Sequence, residues 1–309
     1  MVNEETLSLL SHLKNADGPV SGAALARTFG VSRVALWKRF EALRAAGYTV
    51  AADRSGYRLV PSDKPLSWEF PGDEGRIFHF DALDSTMDEA FRLGLAGQYD
   101  AAVVAERQNA GRGRADKKWQ SAGGDLLVTL VLRADLPVAF AGALNLEALS
   151  CMAETIQTLY GLTLSLKWPN DLLAGDRKVA GALVESCGPA DRPRFYTVGL
   201  GLNVHGLPDL DRPVASVEGL GRPEADRRAI LADWRARLTR WASAPRPEPS
   251  RWASFTVPGA PVAVETFDGR THHGPSQGFD RTGSLLLGGL EQPHPIRYGE
   301  VRRTLGAAS

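Results

Sequence analysis

The sequence predicts an α+β chain of three units, on three observations. Helical segments ending in a hairpin open it, strands and helices in irregular order fill the middle, and short strands between turn residues close it. At 309 residues the chain also exceeds the usual size of one hydrophobic core.

Leu7, Leu10 and Leu13 recur at helical spacing between Asn3 and Lys14, and Gly18-Pro19 ends that helix. Ser21 is placed to cap a short helix through Phe29, Gly30 supplies a tight turn, and Ser32 caps a third helix that Gly47 stops after Ala46. Leu36, Phe40 and Leu43 form the core stripe of this third helix, which leaves Arg33, Trp37, Lys38 and Arg44 on or near the other face. Such a face suits DNA. Tyr48 to Ala51 and Tyr57 to Val60 read as strands around Asp53-Arg54-Ser55-Gly56, a hairpin turn carrying positive charge. Helix, helix-turn-helix and hairpin together have the order of a winged helix-turn-helix, assigned to residues 1–62, and Pro61-Ser62-Asp63-Lys64-Pro65 reads as a linker.

Within 63–254, strands are expected at Arg76 to Phe80, Ala101 to Ala105, Asp125 to Arg133, Leu164 to Lys167, Ala180 to Glu185 and Phe195 to Gly201. Helices are expected at Thr86 to Leu95, Ala139 to Tyr160 and about Glu224 to Trp241. A probable hairpin across Gly175-Asp176 favours an α+β sheet over a parallel barrel. Ile230, Trp234, Leu238 and Trp241 line one face of the last helix, a core stripe. In 255–309, strands such as Pro261 to Glu265 and Ser284 to Leu287 alternate with Asp268-Gly269 and Thr282-Gly283 turns, the pattern of a small β-barrel.

Composition excludes several classes. Lys plus Arg and Asp plus Glu both number 36, so any DNA contact must come from a local patch. Two cysteines, Cys151 and Cys187, are too few for a disulfide framework or a cysteine metal cage and read as buried thiols. The N-terminus lacks a basic region or apolar core and no stretch approaches a membrane span, so a cytoplasmic protein with no membrane partner is expected.

The chemistry concentrates in a few segments. Gln108-Asn109-Ala110-Gly111-Arg112-Gly113-Arg114, followed by Lys117, Lys118 and Trp119, is expected as an exposed loop between strands. Its glycines let backbone approach a ligand, and its cations can hold phosphate or carboxylate oxygens. Alone, it reads equally as a solvated basic loop. Lys167-Trp168-Pro169-Asn170-Asp171 precedes Arg177-Lys178-Val179-Ala180-Gly181. Asn170 and Asp171 offer oxygens for magnesium or a nucleotide and Lys178 a cation near developing charge, or the pair forms a charged hairpin. In Asp84-Ser85-Thr86, Thr86 with Glu89 fits a capping box. Gly199-Leu200-Gly201-Leu202-Asn203-Val204 closes a strand with little side chain at alternate positions, which allows tight packing or close ligand approach.

In this order the Gly-Arg-Gly-Arg, Lys-Trp-Pro-Asn-Asp and Arg-Lys-x-x-Gly runs resemble the biotin–protein ligase family in its bifunctional ligase and repressor form, over essentially the whole chain. The resemblance implies a central class II synthetase-like mixed α/β ligase domain. It also implies a C-terminal SH3-like barrel, marked by Gly278-Phe279-Asp280-x-x-Gly283 and Tyr298-Gly299-Glu300-Val301. It implies ATP, biotin and Mg²⁺, with transfer of biotin through biotinyl-adenylate to a lysine of a biotin carboxyl carrier protein. Operator DNA of biotin genes and a ligand-promoted homodimer are implied partners. Ser85, Thr86 and Gln108, with backbone near Met87, would hold the ureido ring, and Arg112, Gly113, Arg114 and Lys178 the biotin carboxylate and phosphates. Arg114 and Lys178 would be the catalytic charges. Asn170, Asp171, Lys117 and Asn203 would lie on the ATP side, with Asp171 toward Mg²⁺. Ser32, Arg33, Trp37, Lys38 and Arg54 would meet DNA.

Two departures stand out. Ala115-Asp116-Lys117 replaces the family's usual basic continuation of the clamp, and the segment Val204 to Ser216, expected to cover the adenine, supplies Leu207, Leu210 and Val214 but no aromatic. The alternatives are a lipoate-type acyl ligase on the same fold and a biotin-sensing repressor without transfer activity.

Overall fold

The computed structural model describes residues 4–73, 75–114, 117–121, 123–207, 213–256, 259–288 and 294–304. It divides into two compact units, Met1–Glu74 and Gly75–Ser309.

In the first unit, α1 (Glu4–Lys14), α2 (Gly22–Thr28) and α3 (Arg33–Ala45) are followed by a hairpin of β1 (Val50–Asp53) and β2 (Gly56–Leu59). Ser21 and Ser32 cap α2 and α3, their hydroxyls accepting from the amides of Ala24 and Ala35 at 3.2 Å. Such caps contribute about 1 kcal/mol each. Leu36, Phe40 and Leu43 are buried with Leu9, Leu10, Leu13 and Leu25, while Leu7 packs at the margin. Phe40 stacks on Tyr57 at 4.2 Å and so ties α3 to the hairpin. The first hairpin strand starts at Val50 rather than Tyr48, because Tyr48 is buried among the helices and donates to Glu69 Oε1 at 2.8 Å. The stretch after residue 62 folds back on this unit. Leu66 is buried in its core, Trp68 packs against it, and Glu69 pairs with Lys14 at 2.8 Å. The boundary drawn at 62 from sequence thus falls inside the unit, because the polar linker composition is followed at once by apolar residues that find this core.

The second unit is built on a seven-stranded mixed sheet. Its strands are β3 (Ile77–Phe80), β4 (Ala102–Ala105), β5 (Leu126–Leu132), β6 (Ser165–Lys167), β7 (Asp171–Ala174), β8 (Arg177–Cys187) and β9 (Phe195–Leu202), in the order β3-β4-β5-β9-β8-β7-β6. Only β3 and β4 are parallel among these pairs. Every position of β5 is buried, which is why its sequence is an apolar run rather than an alternation. The helices are α4 (Thr86–Leu95), α5 (Ala141–Tyr160), α6 (Arg227–Ser243) and α7 (Pro249–Ala253). Asp226 caps α6, its carboxylate accepting from the amides of Arg228 and Ala229, and the helix starts at Arg227, three residues after the expected Glu224. Ile230, Trp234 and Leu238 are buried as their spacing implies, and Ala242 takes the inner position expected of Trp241. Cys151 and Cys187 are free and buried. No helix among the described residues is long and apolar enough to cross a membrane.

The C-terminal strands β10 (Pro261–Glu265), β11 (Thr271–Phe279), β12 (Leu285–Leu287), β13 (His294–Ile296) and β14 (Glu300–Thr304) form an antiparallel sheet in the order β13-β12-β11-β10-β14. Among the described residues its end strands do not pair, so it is an open sheet rather than a closed barrel. It is anchored to the core of the seven-stranded sheet. Trp168 donates its indole N–H to Gly283 O at 3.0 Å, and Gly283, at φ +84°, lies so close to α5 that a Cβ would come within 2.5 Å of Ala143 N. Glu147, buried in α5, accepts from Trp252 Nε1 and pairs with Arg251, and Trp252 packs edge-on to Phe279. Burial pushes the Glu147 carboxyl above its ordinary range, with Trp252 and Arg251 opposing the shift.

Candidate active site

A cleft opens on the sheet face that also carries α4, walled by the segment after Gln108 and roofed by the C-terminal sheet. Along β9, Gly199 and Gly201 point to this face, and both are filled by neighbours. A Cβ at Gly199 would lie 2.6 Å from Met87 Sδ, and one at Gly201 would lie 2.4 Å from the Trp119 ring. The two glycines, open from sequence to tight packing or ligand approach, therefore seat Met87 and Trp119.

At the closed end, α4 begins with Ser85 as its cap. The Ser85 hydroxyl accepts from Met87 N at 3.2 Å and is buried, so it does not line the cleft. The expected capping box on Thr86 is not formed: Thr86 is already helical, and Glu89 pairs with Arg92 at 2.6 Å. Thr86 instead meets Gln108. Its backbone N–H and its hydroxyl both donate to Gln108 Oε1, at 2.7 and 3.0 Å, and Thr129 Oγ1 donates to Thr86 Oγ1 at 2.8 Å.

The other end is cationic. Arg112, Arg114, Lys117, Lys118 and Lys178 line the cleft against the carboxylates of Asp171 and Glu300. Lys178 Nζ lies 2.5 Å from Asp171 Oδ1 and 5.2 Å from the centroid of the Trp119 ring. Arg114 is not on a free loop. It donates to Gly299 O at 3.2 Å and stacks over Phe267 at 5.7 Å, because β10 and β14 bring those residues over the clamp. Burial lowers its pKa, with Glu300 and Asp171 acting the other way, and an arginine keeps its charge at neutral pH regardless. Lys117 pairs with Glu300 at 2.7 Å, and Arg112 bridges Asp88 and Glu185 at the rim, both at 2.9 Å.

Gly113, Asn170 and Asp171 also line the cleft, and Asn170 donates to Ala182 O at 3.3 Å. Asn203 does not line it. Its amide donates to Lys178 O and Ala215 O, so it braces the strand behind Lys178. In the adenine-side segment, Leu207 is exposed, Val214 bridges to Lys178, and Leu210 lies outside the described residues, as do Ala115 and Asp116. Trp119, Phe267 and Glu300 line this cleft, and Thr129 stands behind Thr86, without a role assigned to any of them from sequence. An aromatic directly after two lysines was the one local signal for Trp119. Thr129 is a single hydroxyl within the apolar run of β5, which gave no signal of its own, and Glu300 only marked the C-terminal unit.

In the first unit Ser32, Arg33, Val34, Trp37, Lys38 and Arg54 are exposed together on α3 and the hairpin turn, with Trp37 at 57% exposure. Arg44 is held away from that role by Glu41, at 2.6 Å, and Val50 O.

A mixed sheet whose cleft sets a cation cluster opposite an amide and hydroxyl pair, in one chain with a winged helix-turn-helix, defines a class of cleft-bearing enzyme joined to a helix-turn-helix unit. Residues 80–203 match the model of the biotin/lipoate A/B protein ligase family, and residues 5–58 match an HTH domain. The chain is 31% identical over 294 residues to the bifunctional ligase/repressor BirA of Bacillus subtilis, covering 87% of this chain and 89% of that protein. It is 31% identical over 303 residues to the Escherichia coli protein of the same name, covering 92% of each. With the biotin–[acetyl-CoA-carboxylase] ligase of Paracoccus denitrificans it shares 34% identity over 236 residues, 71% of this chain and 96% of that one. A solved structure of biotin protein ligase from Aquifex aeolicus in complex with biotin and ATP matches with TM-score 0.61 at 26% identity, covering 73% of this chain and 97% of that chain. The chain belongs to the biotin–protein ligase family, in its bifunctional form with an N-terminal helix-turn-helix domain.

Proposed function

We propose that this chain joins biotin to AMP at the expense of ATP and passes the biotinyl group to a lysine of a carrier protein. The observation that carries this is the pairing, in one cleft, of a cation cluster with the Thr86–Gln108 hydrogen-bonding end. A carboxylate does not acylate an amine at neutral pH, because oxide is too poor a leaving group, so it must first become a mixed anhydride. The biotin carboxylate attacks the α-phosphorus of ATP and pyrophosphate leaves. Two anions must meet for this, and Arg114, Lys117 and Lys178 offset their repulsion and the charge that grows on the departing oxygens. The carrier amine then attacks the acyl carbon and AMP leaves.

The donors present suit Mg²⁺ bound mainly through substrate. Asp171 and Asn170 supply adjacent oxygens, and no group of three or more His, Cys, Asp or Glu that could hold a metal ion is found among the described residues. Magnesium is commonly held by one or two carboxylates with phosphate oxygens and water. Asp171 and Asn170 would hold the ion, which would supply further neutralisation of phosphate charge. We read the C-terminal sheet as SH3-like, the adenylate-bound state as a homodimer and the cytoplasm as the place of action.

Incubation with ATP, biotin and an apo-carrier protein, followed by a streptavidin blot, tests the ligase activity. A band that needs both ATP and biotin is expected. Transfer of lipoate but not biotin would overturn the assignment. Arg114→Ala should speed release of biotinyl-adenylate after a single turnover, and it should lower the melting temperature by only a few degrees, since only its part-buried contacts with Gly299 and Phe267 are lost. Unchanged release with a lower melting temperature would make the residue structural.

The exposed face of α3 favours a second role as a repressor of biotin genes. The chain should bind an inverted-repeat operator more tightly than scrambled DNA when biotin and ATP are present. Lys38→Ala should weaken binding to all sequences alike and reduce the salt slope by about 1, as loss of one phosphate contact does. Gel shifts across a salt series measure both, and equal binding to operator and scrambled DNA would reject the repressor role.

A further inference from the structure

We propose that Thr129 is a positioning residue that sets which hydrogen-bonding groups the cleft offers to the cyclic urea of its substrate. The inference rests on the biotin-ligase assignment above.

A backbone N–H can only donate, so the Gln108 atom 2.7 Å from Thr86 N must be the carbonyl oxygen. That oxygen can only accept, and it lies 3.0 Å from Thr86 Oγ1, so it takes the single hydroxyl proton of Thr86. The remaining contact, 2.8 Å between Thr129 Oγ1 and Thr86 Oγ1, then has one sense: Thr129 donates. The three groups form a one-way relay from Thr129 through Thr86 to Gln108.

Two consequences follow for Gln108 and Thr86, both of which line the cleft. Gln108 turns its Nε2, with two protons, toward Gly111, where a Cβ would come within 3.0 Å of it. Thr86 Oγ1 keeps one lone pair unused. A pair of donors beside an acceptor complements a cyclic urea, whose carbonyl accepts and whose N–H groups donate. A carboxylate, which can only accept, or a dithiolane ring, which has no N–H or O–H to donate, would not satisfy both.

Thr129 does not touch the substrate space. It is fully buried on β5, and it does not line the cleft. Its effect passes through Thr86, which is 4% exposed and so cannot turn to water for a replacement donor. Without the Thr129 proton, the Thr86 hydroxyl loses one of the two bonds that fix its rotamer. The acceptor offered to the urea N–H is then no longer held in place.

Thr129→Val keeps the shape and removes the proton. In the full-length enzyme it is expected to raise KM for biotin about five- to tenfold, the loss of one net hydrogen bond. KM for ATP and kcat at saturating biotin should stay at wild-type values. Thr129→Ser should restore KM for biotin even though it removes a buried methyl and melts lower, and Thr129→Ala should behave like the valine variant. A purely packing role predicts the reverse order, with valine close to wild type and serine impaired. Wild-type KM for biotin in the valine and alanine variants, or no restoration by serine, overturns the proposal. A wild-type chain that neither binds biotin nor biotinylates a carrier overturns the ligase assignment itself, a distinct result read from the wild type alone.

Discussion

Lys178→Ala is expected to slow formation of biotinyl-adenylate about 10²- to 10³-fold, the usual effect of losing one preorganised charge contact at a developing anion. The attacking carboxylate and the ATP phosphates are all anionic, so a lysine between them stabilises the crowded transition state more than either separate reactant. The structure adds a second component. Lys178 sits 2.5 Å from Asp171 and beneath the face of Trp119, so its removal also leaves a partly buried carboxylate without its partner in the phosphate-binding end. Lys178→Arg should recover little, because a planar guanidinium does not fit the space of a compact ammonium between Asp171 and the Trp119 ring. Biotin affinity should change far less than the rate, since Thr86 and Gln108 are untouched. Pyrophosphate release at saturating biotin and ATP, with biotin affinity by calorimetry, measures the split. Wild-type release in Lys178→Ala would remove the residue from the mechanism.

Phe40→Ala is expected to unfold the first unit while the second keeps its ligase activity. Phe40 is 1% exposed, stacked on Tyr57, and surrounded by the leucines of α1, α2 and α3. Truncating a buried phenylalanine costs about 3 to 5 kcal/mol, a large share of the stability of a unit this small. The core that Phe40 belongs to lies entirely within Met1–Glu74, and the cleft entirely within Gly75–Ser309. Operator binding should therefore disappear with a lowered first thermal transition, while carrier biotinylation persists. Retained operator binding would remove α3 and its hairpin as the DNA surface. Biotinylation lost in step with the first transition would show that the units do not act separately.

How much of this was legible in the sequence depends on the range over which each signal acts. The periodicity of Leu36, Phe40 and Leu43, the caps at Ser21 and Ser32, and the apolar run of β5 are set by neighbouring residues, and each folds as its spacing implies. The Gly-Arg-Gly-Arg, Lys-Trp-Pro-Asn-Asp and Arg-Lys-x-x-Gly runs likewise bring Arg114, Asn170, Asp171 and Lys178 into one cleft. The sequence places the cap of α4 one residue late, on Thr86, because whether Ser85 or Thr86 caps α4 depends on backbone angles and on Gln108, 22 residues away from Thr86.

By itself, then, the sequence determined the elements, the winged helix-turn-helix order and the segments that carry the chemistry. Tertiary structure alone decided that residues 63–73 belong with the first unit, that Trp119 supplies an aromatic to the cleft, and that Asn203 is a brace. It also decided that Glu300 and Phe267 roof the clamp. The physical reason is that a periodic pattern reports which side of its own element a residue faces. What it meets there depends on strand order and on the packing of distant segments: Trp119, in the segment leading into β5, reaches Gly201 because β5 pairs with β9, and Glu300 reaches Lys117 only because Gly283 and Trp168 dock the last sheet onto the core.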